Sequence, residues 1–441
     1  MNTSEGKPGT GEKAEAGSSL PTRRYYGVYM VPVAVAIVVC TLPGQTIVVS
    51  QFNGAIREAL GLTLSQISLA YLIGTSLAAL PLTLVGRAAD RFGLRIVVGV
   101  VAASFSLALV LLGQVWDLLS LTAGFALVRF LGQGSLGMLS SHTLAMWFER
   151  RLGVMTSIKH VGFSLGALVL PLVTVAMIEA VGWRHTLALL GAGVALFLLP
   201  LVLTVFRNRP EDVGQVFDGG ERSSAALVGE TPHPPTEDAA FTLGEALRTR
   251  ALWILLLTGP FLGLVGTAML FHTQPLLASL GVENSQTMTP RAQAPWAMAL
   301  AITPLFAGYL ADTFHPRWLL PVGLSLCAAS SGCLALAGQG AFGWSPLVWV
   351  GLGMGVFGVA GGVVVSVSGP TIARYFGRTH HGSIRGATIT VAVAATATGP
   401  YLLSKGAELA EGRFDVVFAV FALAALPLAA TALTLKQPQR A

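Results

Sequence analysis

Apolar runs of roughly 20 residues recur along the chain between residues 25 and 436, each closed off by a short polar stretch or by Gly and Pro. Twelve can be counted, centred near residues 39, 76, 104, 129, 167, 195, 261, 302, 328, 358, 395 and 425. A run of that length crosses a bilayer core of about 30 Å as an α-helix, and a helix satisfies its own backbone hydrogen bonds where no water can. The pattern predicts an all-α integral membrane protein with twelve transmembrane helices. One interruption is much longer. From Arg207 to about Arg248 the chain turns polar, with Pro210, Pro232, Pro234 and Pro235, before apolar sequence resumes at Ala251. It reads as a linker, disordered in its middle. Thr242 and Glu245 near its end have capping-box spacing, which predicts a helix that starts there and runs into the seventh span.

The expected organisation is thus a tail (1–24), a six-helix half (25–206), the linker (207–248), a second six-helix half (249–436) and a short tail (437–441). The 53% hydrophobic and 11% charged residues leave too little polar surface for the soluble domains that 441 residues would otherwise suggest. If residues 1–24 are cytoplasmic, five of the 27 Lys and Arg fall outside (Arg57, Arg184, Arg291, Lys405, Arg413). Arg129 lies within a span and the remaining 21 line the inside. That bias follows the positive-inside rule and places both tails in the cytoplasm and the chain in the inner membrane. The net charge of +6 is then directed at anionic lipid on one membrane face, not at nucleic acid. The polar opening MNTSEGKPGTGEKAEAG does not read as a signal peptide. Cys40, Cys327 and Cys333 fall inside spans, so neither a disulfide framework nor a metal site is expected.

Features repeat between the halves at offsets of 220 to 230 residues. Leu60-Gly61 with Ser65-Gln66 matches Leu280-Gly281 with Ser285-Gln286, after the first and seventh spans. Gly86-Arg87-Ala88-Ala89-Asp90 matches Gly308-Tyr309-Leu310-Ala311-Asp312, read as loops after the second and eighth. Trp147-Phe148 pairs with Tyr375-Phe376, Pro171 with Pro400, and Gly182-Trp183-Arg184 with Gly412-Arg413-Phe414. Five landmarks in one order indicate parallel repeats about an axis along the membrane normal.

With Gly86, Asp90, Arg91, Gly93 and Arg95 in place, the chain resembles the major facilitator superfamily over about residues 25–436. The second copy keeps Gly308, Asp312 and Arg317, with Thr313 and His315 where a basic residue and Gly are expected. The resemblance implies two pseudo-symmetric six-helix halves that rock about a central site, and a monomer as the working unit. It also implies that the two motif copies form a cytoplasmic latch, closed when the protein faces outward. Without the resemblance, the same residues read as a topogenic loop with ordinary surface pairs.

Arg129 lies near the middle of the fourth span, where inserting an arginine costs about 2.5 to 3.5 kcal/mol, so it should face a cavity or a partner. The resemblance puts the first, fourth, seventh and tenth spans around the central cavity. Two readings stand: contact with substrate or coupling ion, or a structural arginine bonded to backbone carbonyls. Gln133 follows one turn later, and the run RFLGQG departs by one residue from the pattern of an antiporter subset. His142 and His272 titrate near neutral pH and are candidates for proton coupling, with ordinary packing as the alternative. Gln45, Tyr71 and Trp296 complete the candidate set, although Tyr and Trp also anchor helices at the membrane interface.

Gly353, Gly355 and Gly358 match GxGxxG, but no strand precedes them and they lie in a span. They read as a helix-packing face, and no cofactor is expected. Arg209-Pro210-Glu211-Asp212 resembles the sequence that closes the first half in monocarboxylate and oxalate-formate carriers, or serves as a plain helix stop. The eighth-span arginine of that branch is missing between Trp296 and Asp312. The leading expectation is a secondary transporter of a small organic solute, a monocarboxylate moved with a proton. The alternative is a proton-driven exporter of amphipathic metabolites or drugs. No HExxH, phosphate loop or nucleophile-base pair points to an enzyme, and the linker is too short for a receptor domain.

Overall fold

The computed structural model describes residues 25–148, 151–215, 241–339, 341–376 and 381–438, without the side chains of a few helical residues, Asp90, Gly308 and Asp312 among them. The expected N-terminal tail and the middle of the linker lie outside the described residues. Within them every element is helical. The first half comprises α1 (Gly27–Cys40), α2 (Thr46–Leu60), α3 (Leu64–Ala79), α4 (Leu82–Phe92), α5 (Leu94–Leu112), α6 (Leu118–Val128), α7 (Gly137–Ala145), α8 (Leu152–Val181) and α9 (Trp183–Thr204). After the short α10 (Leu243–Leu247) come α11 (Arg250–Ser279), α12 (Ser285–Thr313), α13 (Pro316–Ala337), α14 (Pro346–Phe376), α15 (His381–Leu409) and α16 (Phe414–Ala432).

Nine helices among the described residues are long and apolar enough to cross a membrane, counting α1 and α2 as one. Three further rods fall short for local reasons. The rod of α3 and α4 bends at Pro81. Arg129–Leu136 form a π-helical stretch that divides α6 from α7. The first turns of α12 carry Gln286, Thr287, Thr289, Arg291 and Gln293, which lower its hydropathy. The halves each supply six of these rods.

The repeat seen in the sequence is also a repeat in backbone geometry. Gly61 and Gly281, at φ of 63° and 72°, close the first rod of each half, and Gly182 and Gly412, at 79° and 88°, open the last. Glycine is the residue that takes such angles without a Cβ clash. Tyr25 donates its hydroxyl hydrogen bond to the Trp147 carbonyl, and the Phe241 N–H donates to the Phe376 carbonyl at 3.1 Å. In each half the segment before the first rod is therefore tied to the end of the fourth.

Two expectations need correction. The motif copies are not loops: Gly86 to Phe92 belong to α4, and Gly308 to Thr313 are the last turns of α12. The helix capped by Thr242 stops at Leu247, because Thr249 caps a new helix by accepting from the Leu252 N–H. The GxGxxG glycines do pack helices, since a Cβ on Gly358 would lie 2.6 Å from the Trp296 carbonyl oxygen on α12.

Within the first half α5 packs on α9 and α3 on α6; within the second, α12 and α13 pack on α14, and α11 on α15. Between halves α8 meets α12, α3 meets α15 and α2 meets α11, the pairing expected of two like units related by a twofold pseudo-axis. Helices approach closely where glycine replaces a side chain. On α9, a Cβ on Gly191 would sit 2.6 Å from the Ser106 carbonyl oxygen of α5, whereas one on Gly193 would meet nothing within 4 Å. Gly191→Ala should therefore cost about 1–3 kcal/mol through overpacking against backbone. Gly193→Ala should be neutral or slightly stabilising through helix propensity. Thermal unfolding of the purified protein in detergent checks this, and equal melting of the two variants would contradict the α5–α9 crossing.

Candidate functional site

Pro43 and Gly44 interrupt the first rod: Leu42–Gly44 form a single 3-10 turn, and Gln45 is extended before α2 begins. The turn leaves the Gly44 carbonyl free of the helical ladder. A Cβ on Gly44 would lie 2.8 Å from the Val128 carbonyl oxygen, so glycine permits the fourth rod to approach here. Arg129 follows directly, at the start of the π-helical stretch. Its Nη1 donates to the Gly44 carbonyl at 3.2 Å and to Thr46 Oγ1 at 3.3 Å. Its Cζ lies 4.9 Å from the centroid of the Tyr71 ring, and the Tyr71 hydroxyl is 2.7 Å from Thr46 Oγ1.

Arg129 is 3% exposed, and its Nε has no hydrogen-bond partner. No Asp or Glu is buried among the described residues, so nothing described inside the protein balances the charge. Carbonyl dipoles and an aromatic face hold a guanidinium in place, but they neutralise it less well than an anion would. Gln133, on the same rod, is half-buried with Oε1 unpartnered, while Gln45 donates to Thr41 Oγ1 at 3.2 Å. The structure thus brings Arg129, Tyr71, Gln45 and Gln133 together around the breaks in the first and fourth rods. Tyr71 is fully buried, which removes the membrane-interface alternative for it.

The Tyr71 ring leans on Phe271 of α11 at a centroid distance of 4.6 Å and on Phe125 at 5.8 Å. Separately, a cavity of about 440 Å³ lies between α11, α12, α14 and α15, with Leu270 among its lining residues. Trp296, Phe357 and Val364 line it, with Gly259 and Gly361 as bare stretches of wall and Ser368 among the few polar groups. Trp296 therefore belongs to the second half's side of the site.

Between the halves runs a polar seam. Gln51 donates to Gln293 Oε1 at 2.9 Å, Gln286 donates to the Gln51 carbonyl at 2.6 Å, and Asn53 donates to the Phe271 carbonyl at 3.1 Å. Ser68 lies 3.2 Å from His272 Nε2, Thr287 donates to Glu179, and Ser65 donates to Glu408. These residues lie toward the ends of their rods remote from the chain termini, so the halves are joined on that side. His272 is wholly buried in the seam and not in the cavity. His142, half-buried on α7, sits apart from the other candidates, toward the terminus face.

Sequence reasoning missed Lys159. It is 4% exposed on α8 and donates to Ser141 Oγ at 2.7 Å. Its position seven residues into a helix that begins at Leu152 was the available signal; assigning it to an inner loop hid it. Gln293 of the seam was likewise unmarked, because an uncharged amide carries no topological signature.

The motif residues lie on the terminus face. Gly86 is half-buried and a Cβ there would meet nothing within 4 Å, so no helix packs against it in this conformation. Arg91 is exposed and lies over Phe92, and Gly93 turns the chain at φ 86°. The Arg95 backbone N–H donates to Asn208 Oδ1 at 2.8 Å, its Nε to the Val202 carbonyl at 3.1 Å, and its Nη2 to the Leu203 carbonyl. Arg95 therefore braces its own half. Asp212 accepts from the Asn208 and Arg209 N–H groups, so the Arg209-Pro210-Glu211-Asp212 turn acts as a helix stop. In the second copy His315 Nδ1 accepts from the Arg317 N–H. Partial burial, then the Arg317 charge, hold the His315 imidazole below its usual range. The side chains of Asp90, Gly308 and Asp312 lie outside the described residues.

Residues 33–400 match the family model of the Major Facilitator Superfamily. An uncharacterized MFS-type transporter, YhjX of Escherichia coli K12, is 22% identical over 206 residues, which cover 47% of each chain. The probable sulfoacetate transporter SauU of Cupriavidus necator is 30% identical over 162 residues, covering 36% of this chain and 37% of that one. The chain thus spans about half the length, or less, of these curated relatives. Among solved structures, the nucleoside transporter NupG superposes with a TM-score of 0.69 at 13% identity over 93% of this chain and 98% of its own. A bacterial homolog of the human lysosomal transporter Spinster, inward-facing and unoccupied, gives 0.64 at 17% identity over 93% and 95%. With its two six-helix halves, its duplicated motif and a family match over most of its length, this chain belongs to the major facilitator superfamily.

Proposed function

We propose that the chain is a secondary active transporter of a small organic anion, a monocarboxylate taken up with a proton, working by alternating access between the halves. The observation that carries this reading is Arg129: a buried cation where the broken first and fourth rods meet, with no buried acid among the described residues to pair with it. A carboxylate or similar group arriving from solution would supply the missing charge and a partner for Nε. The probable sulfoacetate transporter among the relatives, itself named for an organic anion, supports the same class. The wide apolar cavity favours a second reading, an exporter of amphipathic compounds.

In this reading the terminus face is cytoplasmic, and the conformation described faces inward, sealed by the Gln51–Gln293 seam. The open space around Gly86 fits a disengaged latch, with Asp90 of the complete motif and Asp312 of the degenerate one closing it in the outward-facing state.

Uptake of labelled lactate or pyruvate into proteoliposomes under an inward proton gradient tests the first reading. Accumulation is expected, and indifference to the gradient would contradict proton coupling. Arg129→Gln should lower uptake at least tenfold while leaving the protein folded by size-exclusion chromatography; unchanged affinity and pH dependence would make Arg129 structural. Asp90→Asn should shift the balance of inward and outward states, read as altered labelling of cysteines introduced on the terminus face. Unaltered labelling would refute the latch.

A further inference from the structure

At the rod ends remote from the chain termini, a cleft of about 560 Å³ opens beside the seam, a size within the range of small-molecule sites. Both halves line it. Gly54, Arg57 and Glu58 of α2 and Ile178 of α8 come from the first, Gln274 of α11 and Gln286 of α12 from the second. Arg57 follows Thr46, a partner of Arg129, by eleven residues on α2, or about 16 Å along the helix, so the cleft is separate from the Arg129 cluster.

The polar groups of the cleft are unsatisfied in a complementary way. Arg57 Nε is buried without a hydrogen-bond partner, and no acid among the described residues forms a salt bridge with the guanidinium. Its neighbour Glu58 lines the same cleft, exposed and likewise without a salt bridge among those residues. Two amides from the second half are oriented by their own bonds. Gln274 Nε2 donates to Ser285 Oγ at 3.3 Å and Gln286 Nε2 donates to the Gln51 carbonyl at 2.6 Å, which turns each Oε1 the other way. Both oxygens converge on Gly54: a Cβ there would lie 3.2 Å from Gln286 Oε1 and 3.5 Å from Gln274 Oε1. Gln274 Oε1 is buried and accepts no hydrogen bond. Two such oxygens facing one point repel unless a donor lies between them, and a buried acceptor without a donor is costly. The missing side chain of Gly54 leaves that point open.

The cleft therefore offers one cation, one carboxylate and two converging amide oxygens, and the charges of its lining cancel. An anion would answer Arg57 and leave the oxygens facing each other; an amine would do the reverse. We propose that the cleft binds a small zwitterion of the α-amino-acid type. Its carboxylate meets Arg57, its ammonium meets the Gln274 and Gln286 oxygens above Gly54, and Glu58 contributes from the rim. This site is distinct from that of the transported anion and does not depend on the anion reading. Its ligand touches α2 on one side and α11 and α12 on the other, so occupancy holds the halves together at this end. A ligand that bridges two bodies in one conformation favours that conformation over the one in which they part. The amino acid thus acts as an effector that slows the transport cycle.

Calorimetric titration of the purified protein in lipid nanodiscs with glycine, alanine and leucine tests the site, with propionate and alaninamide as probes that each lack one of the two charges. Alanine should bind, and each single-charge probe should bind at least about tenfold more weakly, as expected for the loss of a charge-assisted contact. Gly54→Ala puts a methyl at the ammonium position, against the ends of two flexible glutamines. That variant should keep its melting temperature and lose at least about tenfold in alanine affinity. Arg57→Gln should remove the advantage of alanine over alaninamide, while Arg129→Gln should leave alanine affinity unchanged. Ser68, 3.2 Å from His272 across the halves, reports on the seam. Saturating alanine should slow thiol labelling of Ser68→Cys severalfold, after subtraction of the signal from Cys40, Cys327 and Cys333. Equal affinity for alanine and propionate, or heat from none of the amino acids, would overturn the zwitterion site. Alanine binding that survives both Gly54→Ala and Arg57→Gln would place the ligand elsewhere and overturn it as well. Alanine that binds without slowing the labelling would overturn the effector role.

Discussion

The structure depends on holding the unbalanced positive charge of Arg129 inside a bundle of apolar helices. Arg129 costs several kcal/mol to place there, and that cost constrains everything around it. It requires a carbonyl that is not committed to a helix, which Pro43 and Gly44 provide by breaking the first rod. It requires close approach of the fourth rod, which the bare Cα of Gly44 allows. It requires an aromatic face, and Tyr71 is fixed in place by Thr46, Phe125 and Phe271. The π-helical turn that begins at Arg129 adds room at the same level, as π segments often do at functional sites. None of these devices cancels the charge, and in the proposed reading that residual cost is what a bound anion relieves.

The same cluster links the charge to the motion of the halves. Tyr71 belongs to the first half and Phe271 to the second, so the ring pair that supports Arg129 is also part of the seam. Neutral amides and hydroxyls dominate the seam around it, at Gln51, Gln286, Gln293 and Ser68. Bonds of that kind contribute about 1 kcal/mol each in net terms, weak enough for a substrate's binding energy to bias their making and breaking. A seam of buried salt bridges would be harder to open and close on a transport cycle.

Much of the architecture was legible in the sequence because membranes impose long-range regularities: the apolar period, the Lys and Arg bias and the repeat offset all report it. Gly61 with Gly281 and Gly182 with Gly412 were visible as sequence pairs, and became pairs of positive-φ turns. Arg129 was legible for the same reason, as a charge where charges are expensive. What stayed hidden depends on which residues face one another. Lys159 is buried on α8 with Ser141 of α7 as its hydrogen-bond partner, which no local pattern records. Tyr71 looked like an interface anchor until Phe125 and Phe271 closed over it. The cavity is made by absent side chains at Gly259 and Gly361, and a glycine facing empty space reads in sequence just like one facing another helix. The one-residue departure in RFLGQG coincides with the π-helical stretch, whose hydrogen-bonded rings hold one residue more than α-helical ones.

The central claim is that Arg129 keeps its charge available because no acid buried among the described residues takes it. Thr46 Oγ1 already lies 3.3 Å from Nη1, so Thr46→Glu would place a carboxylate in reach of the guanidinium. Melting temperature and anion uptake should be measured together on that variant. The account predicts a protein that melts no lower than wild type and has lost uptake at least tenfold, because the internal carboxylate occupies the place of the substrate's. A variant of equal or higher stability that transports as well as wild type would contradict it and make Arg129 a structural residue.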